Sequence, residues 1–289
     1  MALHVTNAQR AEILTQALPY IQSYYGKIVV VKYGGNAMIN EELKQQVMED
    51  IVLLRLVGIK VVLVHGGGPE ITDTLHKIGK ESVFVDGLRV TDKETAEVVQ
   101  MVLAGKINKS LVNLLGVKGG KAIGISGIDA GLIEAAPKDE RLGYVGQITS
   151  VNVKPILDLL DHKYIPVVST VARDTEGNVY NVNADTAAAY IAGALEAECL
   201  VSMTDIAGIL KDKNDPDSLI SKIDLADAKT LFEDGTISGG MIPKVECCIE
   251  AIRHGVKKVF IMDGRVPHSL LIEILTDEGA GTMVVEVKS

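Results

Sequence analysis

Tryptophan is missing from this 289-residue chain and aromatic residues contribute only 4%, although apolar residues as a whole reach 47%. The core is therefore aliphatic. Cysteine is scarce. Cys199, Cys247 and Cys248 make an odd count without CxxC spacing, which argues against disulfides and structural zinc. Nothing approaches about 18 consecutive apolar residues, and the N-terminus lacks the charged, apolar and small-residue order of a signal peptide. Both absences point to a soluble, cytoplasmic protein without a membrane partner. A net charge of −9 and the lack of a basic run argue against a nucleic-acid partner.

Two nucleotide signatures are also absent. The Gly-Lys pairs at Gly26, Gly79, Gly105 and Gly120 lack the upstream glycine, the following Ser/Thr, or both, so there is no Walker-type loop. No GxGxxG occurs, which weakens a dinucleotide dehydrogenase. No internal repeat or low-complexity linker divides the chain. Its length fits one large α/β domain or two lobes.

What is present centres on KIVVVKYGGNAM, residues 27–38. The branched run Ile28 to Val31 predicts a strand buried on both faces. It ends at Lys32 and turns at Gly34-Gly35, where glycine lets the backbone take positive φ and approach a ligand. A lysine at the tip of a buried strand, beside exposed amides, suits a polyanion such as a triphosphate. The pattern recurs: Lys60 to Val64 predicts a second strand that runs into His65-Gly66-Gly67-Gly68-Pro69. Two glycine-rich strand ends describe a phosphate-handling site built by backbone.

In front of this, residues 6–25 read as one separate helix. Thr6 and Gln9 match a capping box, Leu14, Leu18, Ile21 and Tyr25 recur at helical spacing, and Pro19 should kink it. Its apolar stripe packs on its own domain or meets another subunit. Downstream, helices are predicted over 41–56, 70–79, 152–162, 224–234 and 241–254, with a long one after the cap at Thr91 or Asp92. Strands are predicted over 59–64, 121–125, 164–169, 198–203, 257–262 and 282–287. Residues 132–147 read as an antiparallel excursion on the sheet edge. This alternation predicts an α/β protein with a mainly parallel sheet covered on both faces.

Four stretches bring polar residues to predicted turns: Lys32 with Gly34-Gly35, Gly66 to Gly68, Asn181 to Asp185, and Gly239-Gly240 with Lys244. Phosphoryl transfer through a loose transition state needs positive charge and donors around the moving group. Lys32 and Lys244 can supply charge from opposite sides, and Asp185 can orient them. Asp185 reads equally well as a helix cap. Lys244 reads as a solvated lysine, although the first turn of a helix disfavours a cation. Arg89, in GLRVT after a turn, can grip a carboxylate bidentately. His65, in front of three glycines, reads as a structural turn residue.

Taken together, KYGGNAM, VHGGGPEI, GLRVT, NVNADTAA, TDIAGIL and SGGMIPKV resemble the amino-acid kinase family, in its order and spacing over essentially the whole chain. The resemblance is nearest to the branch that phosphorylates N-acetyl-L-glutamate in arginine biosynthesis. It implies a three-layer α/β/α sandwich in two lobes: residues 26–180 for acetylglutamate and dimer formation, and 181–289 for ATP. It implies transfer from ATP, with Mg²⁺ and no tightly bound organic cofactor, to the substrate's γ-carboxylate. By motif, Lys32 and Lys244 would be the transition-state lysines and Asp185 the aspartate that positions them. Gly67, Gly68, Arg89 and Asn181 would hold the substrate. Lys32, Gly34, Gly35, Thr204, Asp205, Gly208, Leu210 and Lys244 would serve ATP, and no protein metal ligand is assigned. A carboxylate is already a nucleophile at neutral pH, so no general base is needed.

The extension 1–25 resembles the helix that links dimers in the arginine-inhibited hexamers of that branch. This implies a homohexamer, a trimer of dimers, inhibited by L-arginine, with His268, Glu278 and Gly281 as effector contacts. Kinases of the same fold acting on aspartate, glutamate, carbamate or a nucleotide are the nearest alternatives, and GLRVT and NVNAD favour acetylglutamate. A silent arginine sensor is a further alternative, against which Lys32, Lys244 and Asp185 count.

Overall fold

The computed structural model describes residues 6–38, 40–212 and 214–286. The N-terminal stretch forms two helices, α1 (Asn7–Gln16) and α2 (Leu18–Tyr24), where one kinked helix was expected. The break falls at Ala17, and Pro19 sits in the first turn of α2, where a missing N–H costs nothing. The capping box of Thr6 and Gln9 is present. Strand β1 (Ile28–Tyr33) follows, then α3 (Glu41–Leu56), β2 (Lys60–His65) and α4 (Gly68–Lys77). A hairpin of β3 (Phe84–Val85) and β4 (Leu88–Arg89) follows, and its turn is the one in front of Arg89.

The long helical pattern is interrupted. It comprises α5 (Lys93–Gln100), a π-helical stretch (Met101–Ile107) and α6 (Asn108–Val117), with Asp92 as its cap. Next come β5 (Ala122–Ser126), β6 (Ile133–Pro137), β7 (Gly146–Val151), α7 (Lys154–Asp161), β8 (Ile165–Ser169), β9 (Val171–Arg173) and β10 (Val179–Asn181). The remainder is α8 (Ala184–Ala194), β11 (Cys199–Thr204), β12 (Lys222–Asp224), α9 (Leu225–Glu233), α10 (Ile242–Arg253), β13 (Lys258–Asp263), α11 (Ser269–Leu275) and β14 (Gly281–Val285).

Eight strands make the central sheet in the order β12-β14-β13-β11-β1-β2-β8-β5, parallel except for the β13–β14 pair. The excursion is not on its edge: β10-β9-β6-β7 form a sheet of their own. The reason is visible at Thr170, a single residue between β8 and β9 at which the chain leaves the central sheet.

Strand alternation sorts the core into two layers. Val29, Val31 and Tyr33 pack with α3, α4, α6 and α11 on one face. Val30 packs on the other face with α7, α8 and α10. On that second side the alanines of α8 (Ala187, Ala188, Ala189, Ala192) lie fully buried, so the helix sits close to the sheet. The same alternation sends Lys32 toward α8. Because β1 connects rightward to β2 and its other neighbour is β11, the strand order reverses beside β1. Parallel sheets open a crevice at such a point, outside the carboxyl ends of the strands.

Candidate active site

Lys32 stands at that crevice as the penultimate residue of β1, which runs one residue further than expected, to Tyr33. Its side chain is buried, and Nζ lies 2.9 Å from Asp185 Oδ1. It curls back over Gly34, where a Cβ would stand 3.2 Å from Nζ, and Gly35 takes φ +69°. The glycine turn therefore leaves room for the lysine head. Asp185 is the second residue of α8 and does not cap it. The cap is Asn183, which accepts from the N–H groups of Asp185 and Thr186 at 2.9 and 3.1 Å. With its backbone so held, the Asp185 carboxylate is free to reach Lys32. Ser202, the register partner of Lys32 on β11, donates to the same Oδ1 at 3.3 Å. Burial pushes the Asp185 carboxyl up, but Lys32 and then Lys244 pull it down, and the net direction is downward. Asp185 stays ionised between two cations.

Two cavities meet at this aspartate. One, of about 200 Å³, is lined by Lys32, the glycine turns and the β3–β4 hairpin, with Arg89, Asn181 and Asp185 on its walls. The other, of about 380 Å³, is lined by Lys244 and Cys247 of α10, with Asn183, Asp185 and Thr186 of the α8 start. Asp185, Asn183, Gly87 and Leu88 belong to both. Lys32 and Lys244 thus approach the junction from different chambers.

In the first cavity, Arg89 is held before any ligand arrives. One terminal nitrogen donates to Ser82 Oγ, and the other donates to Gly68 O at 3.0 Å and Thr72 Oγ1 at 2.9 Å. The Phe84 ring lies 4.7 Å over the guanidinium. Burial lowers the arginine's pKa in direction, and no carboxylate of the protein is paired with it among the described residues. A fixed, partly desolvated cation facing a cavity is a receptor for a carboxylate. Asn181 lines the same cavity, its Nδ2 donating to Thr91 Oγ1 at 3.3 Å. Gly67 is closely packed: a Cβ there would fall 2.1 Å from Ile107 Cδ1 and displace that side chain.

A model of the amino acid kinase family matches residues 27–263, a stretch that contains both cavities. The chain belongs to that family. An acetylglutamate kinase of Brachyspira hyodysenteriae is 58% identical over 97% of this chain and 98% of its own length. One of Trichodesmium erythraeum is 55% identical over 96% and 95% respectively. Among solved structures, the N-acetylglutamate synthase of Neisseria gonorrhoeae, complexed with coenzyme A and N-acetyl-glutamate, superposes with a TM-score of 0.84 at 25% identity. That likeness covers 96% of this chain, and the chain spans 64% of the synthase.

The other family positions lie elsewhere. Thr204, Asp205, Gly208 and Leu210 line neither cavity: Thr204 is the last residue of β11, and the other three occupy the loop beyond it. Thr204 Oγ1 accepts from Ile206 N at 3.1 Å and turns the chain. Gly208 takes φ +146°, and a Cβ would sit 2.6 Å from Thr282 Oγ1, so this glycine lets the loop close on β14. His268 caps α11 in the left-handed region, with Nδ1 2.6 Å from Asp50 Oδ1. Gly281 is buried where β14 pairs with Met262, and Glu278 is exposed. Sequence reasoning missed Ser202, Ser82 and Thr72, which act through register or tertiary contact; Asn183 lay within the Asn181 to Asp185 stretch, but its role as the cap of α8 was given to Asp185. Thr170 was missed as well. It lines the first cavity, and its buried hydroxyl has no partner among the described residues. An unpaired buried hydroxyl is the only signal that marks it.

Proposed function

We propose that this protein transfers the γ-phosphoryl group of MgATP to the γ-carboxylate of N-acetyl-L-glutamate, giving an acyl phosphate and ADP. The observation that carries the reading is the junction: a carboxylate-receiving cavity and a second cavity open onto one aspartate, with a lysine on each side. Acetylglutamate kinases 58% and 55% identical over nearly the whole chain support the substrate.

In this reading Arg89 holds the substrate's α-carboxylate, and Gly67, Gly68 and Asn181 hold the rest. The γ-carboxylate then points toward Lys32. One of its oxygens attacks the γ-phosphorus, and the bond to ADP breaks, with no proton to remove. Lys32 and Lys244 offset charge on the transferring oxygens, and Asp185 keeps the two ammonium groups in place. Gly34 and Gly35 meet phosphate, and the Thr204, Asp205, Gly208 and Leu210 loop borders the nucleotide. Magnesium enters on the ATP phosphates. No group of three or more His, Cys, Asp or Glu is arranged to hold a metal among the described residues.

Regulation and assembly belong to the same proposal. Residues 1–25 form the extension, 26–180 the acetylglutamate lobe and 181–289 the ATP lobe. Helix α1 buries none of its residues and exposes Ile13 and Leu14, which suits a helix that links dimers into a hexamer. L-arginine inhibits at the segment that carries His268, Glu278 and Gly281. The enzyme works in the cytoplasm, and none of the described helices is long and apolar enough to cross a membrane.

The test is ADP release with a panel of acceptors. N-acetyl-L-glutamate should exceed L-glutamate, L-aspartate and carbamate in kcat/KM. An equal or higher value for any of those three overturns the substrate assignment.

A further inference from the structure

His65 and Asn108 form a buried polar pair beneath the glycine turn, used by nothing described so far. Both are almost completely buried. Asn108 is the first residue after the π-helical stretch. Its Nδ2 faces the carbonyl oxygens of Val167 at 2.9 Å and Ile125 at 3.3 Å, and its Oδ1 accepts from Lys109 Nζ at 3.1 Å. These neighbours fix the amide orientation, since carbonyl oxygens must face the NH₂ end. His65 Nε2 lies 3.1 Å from the same Nδ2, which can only donate, so this ring nitrogen is bare and accepts a hydrogen bond. The ring's own proton is then on Nδ1, which lies 2.9 Å from Gly66 O.

We propose that His65, set in its Nδ1–H tautomer by Asn108, is a positioning residue that aims the Gly67 amide into the substrate cavity. In a planar trans peptide the C=O of Gly66 and the N–H of Gly67 point in opposite directions. The carbonyl is tied to a buried ring. The N–H therefore points away from that ring, toward the cavity that Gly66, Gly67 and Gly68 line. Among the described residues, no acceptor takes the Gly67 N–H. From below, the π-helical stretch supplies the floor: Ile107 and Leu103 press on Gly67 so closely that a Cβ would meet them at 2.1 and 2.8 Å. A donor aimed this way, without reorganisation on binding, stabilises charge on a substrate carboxyl oxygen. Burial holds the His65 pKa down to about 4, so the ring remains neutral at working pH. This inference rests on the substrate reading given above.

Two measurements test it. Kinetics compare His65→Leu, which cannot hold Gly66 O, with His65→Asn, whose amide can donate in place of Nδ1–H. The expected result is a loss of about 10²-fold in kcat/KM for N-acetyl-L-glutamate in H65L, an unchanged KM for ATP, and recovery of most activity in H65N. Equal losses in the two variants, or a loss that falls on ATP, overturn the proposal. The second measurement is solid-state ¹⁵N NMR of ring-labelled wild type, assigned against H65N. It should show His65 protonated at Nδ1 and bare at Nε2, and the reverse tautomer overturns the proposal. That spectrum decides even where H65L fails to fold, and it stands apart from any failure of the substrate assignment.

Discussion

Lys32 and Ser202 are register partners on adjacent parallel strands, and both reach Oδ1 of Asp185, at 2.9 and 3.3 Å. The ammonium group is therefore located by the sheet itself, through β1, and its counter-ion by a helix packed against the same face. Substitution of Lys32 by Met should abolish detectable turnover. It should also destabilise the fold by about 1–3 kcal/mol, because it leaves the half-buried Asp185 carboxylate without its nearest cation. The double variant K32M/D185N should recover much of the stability and none of the activity. Thermal unfolding and kcat measured on the same samples check both halves.

Ser202→Ala removes a neutral donor to a charged acceptor and leaves the ion pair. The expected loss in kcat is roughly tenfold, in keeping with about 1.5 kcal/mol for such a bond. A kcat equal to that of wild type would show that Lys32 alone holds Asp185.

Arg89→Lys keeps the charge and loses the fork. An ammonium group cannot reproduce donation to Ser82, Gly68 O and Thr72 together. KM for N-acetyl-L-glutamate should rise by about 10- to 100-fold, while KM for ATP stays put. Initial-rate kinetics with each substrate varied in turn separate the two. Ser82→Ala should give a smaller rise of the same kind.

Asp50 gives a pH dependence of unusual sign. Burial raises its pKa from 3.8 to about 6, even though the hydrogen bond from His268 pulls the other way. The native state therefore holds this proton more tightly than the unfolded chain does. Below about 4 both states are protonated, and above about 6 the fold must carry a buried anion. Relative to Asp50→Asn, wild-type stability should fall by roughly 3 kcal/mol as pH rises from 4 to 6. Denaturant titrations of both proteins across that window check it, and parallel curves would contradict it.

The extension divides at Ala17. Helix α2 belongs to the core, because Tyr24 is buried and its ring lies 4.9 Å from Lys258 Nζ. Helix α1 does not. On the proposed assembly, deletion of residues 1–16 should leave turnover intact and give dimers in place of hexamers on light scattering. A truncated protein that stays hexameric would remove α1 from the assembly.

The central sheet was legible because buried parallel strands read as branched runs, and the strands that carry Lys32 and His65 run into glycines. Arg89 and Asp185 stood out by their place at predicted turns, and their roles came from the motif resemblance. What escaped depends on distance. The pairing of Ser202 with Lys32 is a register between residues far apart in sequence. The π-helical stretch inside residues 93–117 reads as part of one continuous helix, because π-helical turns are rare and carry no propensity signal of their own. The hairpin strands that carry Phe84 and Arg89 are two residues each, too short for alternation to register. The separate four-stranded sheet was taken for an edge because strand patterning does not say which sheet a strand joins.

Phosphoryl transfer beside Asp185, as proposed, makes an acyl phosphate. Incubation of the protein with MgATP and N-acetyl-L-glutamate, with hydroxylamine to trap the product, with and without arginine, tests this. Hydroxamate should form in step with ADP and be suppressed by arginine. Hydroxamate that ignores arginine would remove the effector site and leave the catalytic assignment standing. ADP release without hydroxamate would contradict the acyl phosphate itself.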